Sequence, residues 1–149
     1  LARAKAAIVS SEFPESIVIG GDQMCVLNDL IFDKPGDKDS AIRNLKKLSG
    51  LEHYQYSGIC IYQNQELLWD YSEYAIMKMH NLSEKEIINY VEKENPIHAA
   101  GAYKFESLGC NLFESVEGSS YTVRGMPLLP LLKKLRELDI INLEGIEVK

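Results

Sequence analysis

Apolar positions along the chain follow two periods, and the change from one to the other marks out the elements. Ser16-Ile17-Val18-Ile19 is a β-branched run stopped by Gly20-Gly21-Asp22, which reads as a buried strand meeting a loop. Upstream, Leu1 to Ser10 is rich in alanine and reads as the end of a helix. Asp33-Lys34-Pro35-Gly36-Asp37 is a strong turn. Beyond it Ala41, Ile42, Leu45 and Leu48 recur at helical spacing until Ser49-Gly50 ends the run. His53 to Gln63 and Leu67 to Met79 are strand-like, and Asn64-Gln65 between them predicts a hairpin. Ser83 with Glu86 forms a capping box, and Ile87, Ile88 and Val91 are expected on the buried face of the helix that follows. A Gly-containing stretch from Ala99 to Gly109 leads into strand-like sequence as far as Val116. Pro127 then opens a helix over Leu128 to Leu138, with Leu128, Leu131, Leu132, Leu135 and Leu138 on one stripe. Strands and helices mix around a central hairpin, which predicts an α/β or α+β domain on a mixed sheet. No linker or repeat divides it, so residues 1–149 read as one domain.

Composition narrows the class. Hydrophobic residues make up 46% and charged residues 26% of 149, as in an ordinary globular domain. A chain of this length buries about 70% of its unfolded surface and needs no staple. Sixteen Lys and Arg against 22 Asp and Glu leave a net charge of −6, which argues against a binder of polymeric nucleic acid or of anionic membranes. It leaves room for a small anion held by a few placed lysines. Cys25, Cys60 and Cys110 are few, far apart and without metal spacing, which fits reduced core thiols in a cytoplasmic protein. No apolar run approaches the ~20 residues of a membrane span.

Several residues are candidates for chemistry. Asp22, placed after two glycines at the end of a strand, sits where α/β sheets gather ligands, although an Asx turn is the simpler account of position alone. Lys34, restrained by Pro35, could hold phosphate as a point charge or be a solvated turn lysine. In Tyr103-Lys104-Phe105-Glu106 a strand would put Lys104 and Glu106 on one face and the aromatic rings on the other. That face is either a cation and an anion lining a cleft or a solvated ion pair. His53, His80 and His98 lack ligand spacing and read as structural or surface residues. Trp69 and the eight tyrosines could stack on a base, with packing the plainer account in strand context.

The ordered set of these stretches resembles the Maf family of nucleotide pyrophosphatases. It comprises Lys5-Ala6, Gly21-Asp22-Gln23, Lys34-Pro35, Ser49-Gly50, Ser57-Gly58, Leu82-Ser83, Asn89-Tyr90-Val91, Ala100-Gly101-Ala102-Tyr103-Lys104 and Gly125-Met126-Pro127-Leu128. The resemblance implies an elongated α/β fold, similar to inosine triphosphate pyrophosphatases, with a mixed, curved sheet and a central cleft. It implies a metal-dependent hydrolase that splits a nucleoside triphosphate into monophosphate and pyrophosphate. Asp22 falls on the family's catalytic aspartate, with Mg²⁺ or Mn²⁺ held there, and Lys5, Lys34 and Lys104 fall on lysines of its cleft.

One branch of that family, acting on dTTP and UTP, tends to read Asp-Thr at the catalytic strand and Gln further on. Another, resembling 7-methyl-GTP pyrophosphatases, reads Asp-Gln with Glu after Lys-x. Asp22-Gln23 and Lys104-Phe105-Glu106 follow the second pattern. Glu106 then suits a methylated guanine, whose ring is cationic and whose Watson–Crick edge carries N–H donors. The alternatives are a dTTP/UTP pyrophosphatase and a non-catalytic nucleotide-binding or cell-division regulatory module. A homodimer through an exposed Leu or Tyr patch is open as the assembly. The family's Ser-x-Ser-Pro-Arg loop does not occur, and the chain begins Leu1-Ala2-Arg3 without Met. The expectation is a Maf-like domain lacking its N-terminal segment.

Overall fold

A computed structural model describes residues 1–145. Helix α1 (Ala2–Glu12) leads into strand β1 (Val18–Leu27), which turns back as the short β2 (Leu30–Phe32). Helix α2 (Lys38–Leu48) follows, then the long hairpin β3 (Glu52–Gln63) and β4 (Glu66–Met79). Helix α3 (Glu84–Glu94), two 3-10 turns, β5 (Phe113–Glu117), α4 (Ser120–Val123) and α5 (Leu128–Glu137) complete the elements among the described residues. The strands form one sheet in the order β2-β1-β3-β4-β5. The α/β class holds, but every pairing among the described residues is antiparallel where a mixed sheet was expected. β1 and β2, and β3 and β4, are joined by tight turns that reverse the chain, and such joints impose antiparallel pairing.

Local chemistry explains most of the elements. The Asp37 carboxylate accepts from the Ser40 backbone N–H at 2.7 Å and starts α2. Asn64 and Gln65 both adopt positive φ, 50° and 61°, as a two-residue hairpin turn matched to strand twist requires. At α3, Ser83 Oγ accepts from the Glu86 N–H at 3.2 Å while Glu86 Oε2 accepts from the Ser83 N–H at 2.8 Å. The buried face of α3 is Ile87, Tyr90 and Val91; Ile88, expected there, is exposed. In α5, Leu131 and Leu135 are buried whereas Leu132 is exposed, so the stripe is narrower than the sequence predicts.

Side chains alternate across the sheet, and the two faces are covered unequally. Cys25, Leu27, Ala75, Met77 and Met79 point to the face packed by Ala41, Leu45 and Leu48 of α2 and by Ile87, Tyr90 and Val91 of α3. Ile59 and Ile61 extend that face beneath Leu131 and Leu135 of α5. The opposite face is covered at one end by α1, where Ala6 packs on Val18 and Cys60.

Gly20 and Gly21 do not stop the strand: β1 runs through them and on to Leu27. A Cβ at Gly20 would lie 2.7 Å from the Ala2 carbonyl oxygen and 2.9 Å from Ala6 Cβ. The glycine is the place where α1 lies down on the sheet, a close approach within a strand rather than a break in it.

Under the other face, His53 Nε2 and Tyr103 Oη share a hydrogen bond at 2.7 Å, and Gln55 Nε2 also donates to Tyr103 Oη. His53 is fully buried, its Nδ1 has no partner among the described residues, and burial holds the imidazole down to about 4. Its contribution to stability is complete above the unfolded value near 6.5. It is lost as the pH falls from there through about 4, because only the unfolded chain gains the proton. The loss amounts to about 3 kcal/mol. Urea unfolding from pH 7 to pH 4 should show this slope in the wild type and a shallower one in His53→Phe. Equal slopes would remove His53 as its source.

Candidate functional site

Strand alternation puts Asp22 on the α1 face, and three separate elements then converge on it. Lys5 comes from α1, Asp22, Gln23 and Met24 from β1, and Asp33 and Lys34 from the turn after β2. Together with Phe32 and Ala100 they line a cleft of about 540 Å³. Among the described residues, nothing pairs by hydrogen bond or ion pair with the side chains of Lys5, Asp22, Asp33 or Lys34. Two ammonium groups and two carboxylates therefore face one space with their bonding capacity uncommitted. Asp33 was legible as part of a turn and carried no sign of its place in the cleft.

Gln23 works from the other side of the strand. Its side-chain amide donates to the Val123 carbonyl at 2.5 Å, Ser57 Oγ donates to the Thr122 carbonyl at 2.7 Å, and Thr122 Oγ1 bonds Glu73. Gln23, Ser57 and Glu73 stand opposite one another on β1, β3 and β4. This polar row ties α4 to the sheet directly behind Asp22 and fixes the strand that presents it.

Lys104 and Glu106 do not share a strand face. Tyr103 ends a 3-10 turn and residues 105–107 form another turn, closed by hydrogen bonds from the Ser107 and Gly109 amides to the Lys104 carbonyl at 3.2 and 3.0 Å. Lys104 donates through its backbone N–H to Tyr90 Oη at 2.9 Å and through Nζ to the Glu94 carbonyl at 3.4 Å, at the end of α3. Glu106 is exposed on the turn. Neither lines the cleft that holds Asp22. The alternation misled because Tyr103 and Phe105 do pack inward, a pattern that an irregular chain meets as well as a strand.

No group of three or more His, Cys, Asp or Glu side chains that could cage a metal occurs among the described residues. The donors in the cleft still suit a magnesium-like ion, which is commonly held by one or two carboxylates together with substrate phosphates. Cys25 and Cys60 are buried, as expected, and Cys110 is exposed. Burial pushes the Cys25 thiol up to about 12, which keeps it protonated and unreactive. Among the described residues no helix is long and apolar enough to cross a membrane.

Known proteins resemble the chain over nearly all of its length. A nucleoside triphosphate pyrophosphatase of Legionella pneumophila (strain Paris) is 41% identical over 143 residues, covering 96% of this chain and 72% of that protein. A 7-methyl-GTP pyrophosphatase of Rhizobium johnstonii is 43% identical over 144 residues, covering 95% and 72%. A dTTP/UTP pyrophosphatase of Aquifex aeolicus is 38% identical over 141 residues, covering 95% and 74%. The family model for Maf-like proteins matches residues 1–138, and the chain belongs to that family.

Proposed function

We propose that the protein is a nucleoside triphosphate pyrophosphatase that prefers 7-methyl-GTP and releases the monophosphate and pyrophosphate. The observation that carries the proposal is the convergence of Lys5, Asp22 and Lys34 on one cleft from three separate elements. A triphosphate near neutral pH carries about four negative charges, and lysines delivered to the cleft by separate elements would offset them along its path past Asp22. A divalent cation, Mg²⁺ or Mn²⁺, would be held by Asp22 and the phosphates and would supply further neutralisation. Asp22 would also accept the proton of the attacking water. The water oxygen bonds the α-phosphorus, the bond from that phosphorus to the oxygen bridging to the β-phosphorus breaks, and pyrophosphate leaves with that oxygen.

The preference for a methylated guanine rests on Asp22-Gln23 and on Glu106, whose exposed carboxylate would accept from the base. The Rhizobium relative named for that substrate supports it, and the Aquifex relative named for dTTP and UTP supports the competing pyrimidine specificity. Lys104 and Glu106 stand outside the cleft, so their participation requires the turn at 105–107 to approach the bound nucleotide.

Pyrophosphate release should be measured with 7-methyl-GTP, dTTP and UTP in the presence of Mg²⁺ or Mn²⁺. The expected result is highest kcat/KM for 7-methyl-GTP, with Glu106→Gln lowering that lead several-fold. A clear preference for dTTP or UTP, or an unchanged ratio in Glu106→Gln, overturns the specificity. Tight triphosphate binding without hydrolysis would favour a non-catalytic module instead.

A further inference from the structure

The α1 face of the sheet is covered at the Val18 end and open at the other. Met24, Tyr56 and Tyr74 stand opposite one another on β1, β3 and β4, on the same face as Asp22. They are 40%, 36% and 52% exposed. Tyr54 joins them, and the three phenol rings lie with centroids 5.3 to 6.0 Å apart. A contiguous exposed cluster of this kind calls for an occupant in a way that scattered apolar residues do not.

Two features connect the cluster to the Asp22 cleft. Met24 belongs to both, as a wall of the cleft and the first member of the row. Asp22 lies one row away, two residues along β1, which is about 7 Å on an extended strand. The residue directly opposite Asp22 is Gly58, and a Cβ built there would meet nothing within 4 Å. The surface beside Asp22 is thus bare backbone with open space above it, leading to the tyrosines.

We infer that Tyr54, Tyr56 and Tyr74, with Met24, form the platform on which the base of the nucleoside triphosphate stacks while its phosphates lie against Lys5, Lys34 and Asp22. It rests on the pyrophosphatase reading above. Every base has a π-face that stacks on an aromatic ring, and a purine offers more overlap than a pyrimidine. A ring carrying positive charge, as in N7-methylated guanine, gains cation–π attraction from tyrosine in addition. The platform therefore favours a methylated guanine without needing Glu106, whose turn is tied to α3 on the other side of the sheet. A second copy of the chain is the competing occupant. Met24, Tyr56 and Tyr74 are 36–52% exposed and Tyr54 less, so four side chains of at most about 250 Å² each present together roughly 400 Å², short of the roughly 800 Å² per partner of a standard interface.

The test compares wild type with the double variant Tyr56→Leu/Tyr74→Leu and the conservative pair Tyr56→Phe/Tyr74→Phe. Pyrophosphate release is followed with 7-methyl-GTP, GTP, dTTP and UTP, and inorganic tripolyphosphate serves as a competitive inhibitor that has phosphates and no base. The leucine pair should raise KM for the preferred nucleotide about ten-fold or more. It should leave the inhibition constant of tripolyphosphate unchanged, and the phenylalanine pair should return KM to near the wild-type value. An unchanged KM, a tripolyphosphate constant that rises in step with it, or conversion of a wild-type dimer to monomer by the leucine pair in sedimentation each overturns the platform. A wild type inactive on all four nucleotides overturns the pyrophosphatase reading and the platform with it, a result distinct from an active enzyme indifferent to its tyrosines.

Discussion

Replacing Asp22 by Asn should lower pyrophosphate release by about 10³-fold while leaving the thermal midpoint where it was, since general acid–base catalysis alone contributes about 10²–10⁴-fold. The two halves of that expectation have separate causes. The Asp22 side chain has no hydrogen-bond or ion-pair partner among the described residues, so an isosteric amide breaks no native contact. The strand that carries it is held from behind by Gln23, Ser57 and the Glu73–Thr122 bond, all of which the substitution leaves in place. What the amide removes is the negative charge, and with it both the capacity to hold a divalent ion against the phosphates and the capacity to take a proton from water.

Titration with Mg²⁺ separates those two roles. If Asp22 acts chiefly by holding the ion, raising Mg²⁺ should recover part of the activity of the Asp22→Asn variant. If it acts as the base, no concentration should do so. Turnover near the wild-type level at the Mg²⁺ concentration that suffices for the wild type, measured by pyrophosphate release, would remove Asp22 from the mechanism altogether.

What the sequence makes legible here follows from the range of the interactions involved. The capping box at Ser83 and Glu86, the turn at Asn64-Gln65 and the helix from Lys38 are set by neighbours three or four residues away, and all are readable from the sequence. Long-range contact defeats the same reasoning. Nothing near Gly20-Gly21 in sequence reveals that a helix lies on Gly20, so the pair reads as the end of a strand when the strand runs on through both and Gly20 is the bed of α1. Tyr103 and Phe105 alternate with charged residues and pack inward, yet the segment is a turn closed on the Lys104 carbonyl. The cleft residues divide in the same way. Asp22 and Lys34 are candidates from their positions in the sequence and Lys5 is found through the ordered resemblance to a family, whereas Asp33 and Met24, with no distinguishing local pattern, emerge only when β1, β2 and α1 are brought together.

That bed of α1 ties Gly20, a residue outside the cleft, to both the stability of the fold and the delivery of Lys5. In Gly20→Ala the new methyl would sit 2.7 Å from the Ala2 carbonyl oxygen, 2.9 Å from Ala6 Cβ and 3.0 Å from Cys60 Sγ. The first is backbone and the second is a side chain of a single rigid carbon, so neither can swing away and the helix must lift. Overpacking of this kind costs about 1–3 kcal/mol, or a fall in Tm of about 3–10 °C for a chain of this size. The helix also carries Lys5, and a displacement near 1 Å can cost about 10²-fold in rate when it moves a group that positions substrate. Gly20→Ala should therefore lose both stability and kcat/KM. Gly21→Ala, on the same strand but on its other face, supplies the control: its Cβ would have no neighbour closer than 3.8 Å. The control should stay within about 0.5 kcal/mol of wild type. Thermal melts and kcat/KM on the two variants would decide the matter, and Gly20→Ala behaving like Gly21→Ala would mean that α1 does not need its close seat on β1 to deliver Lys5.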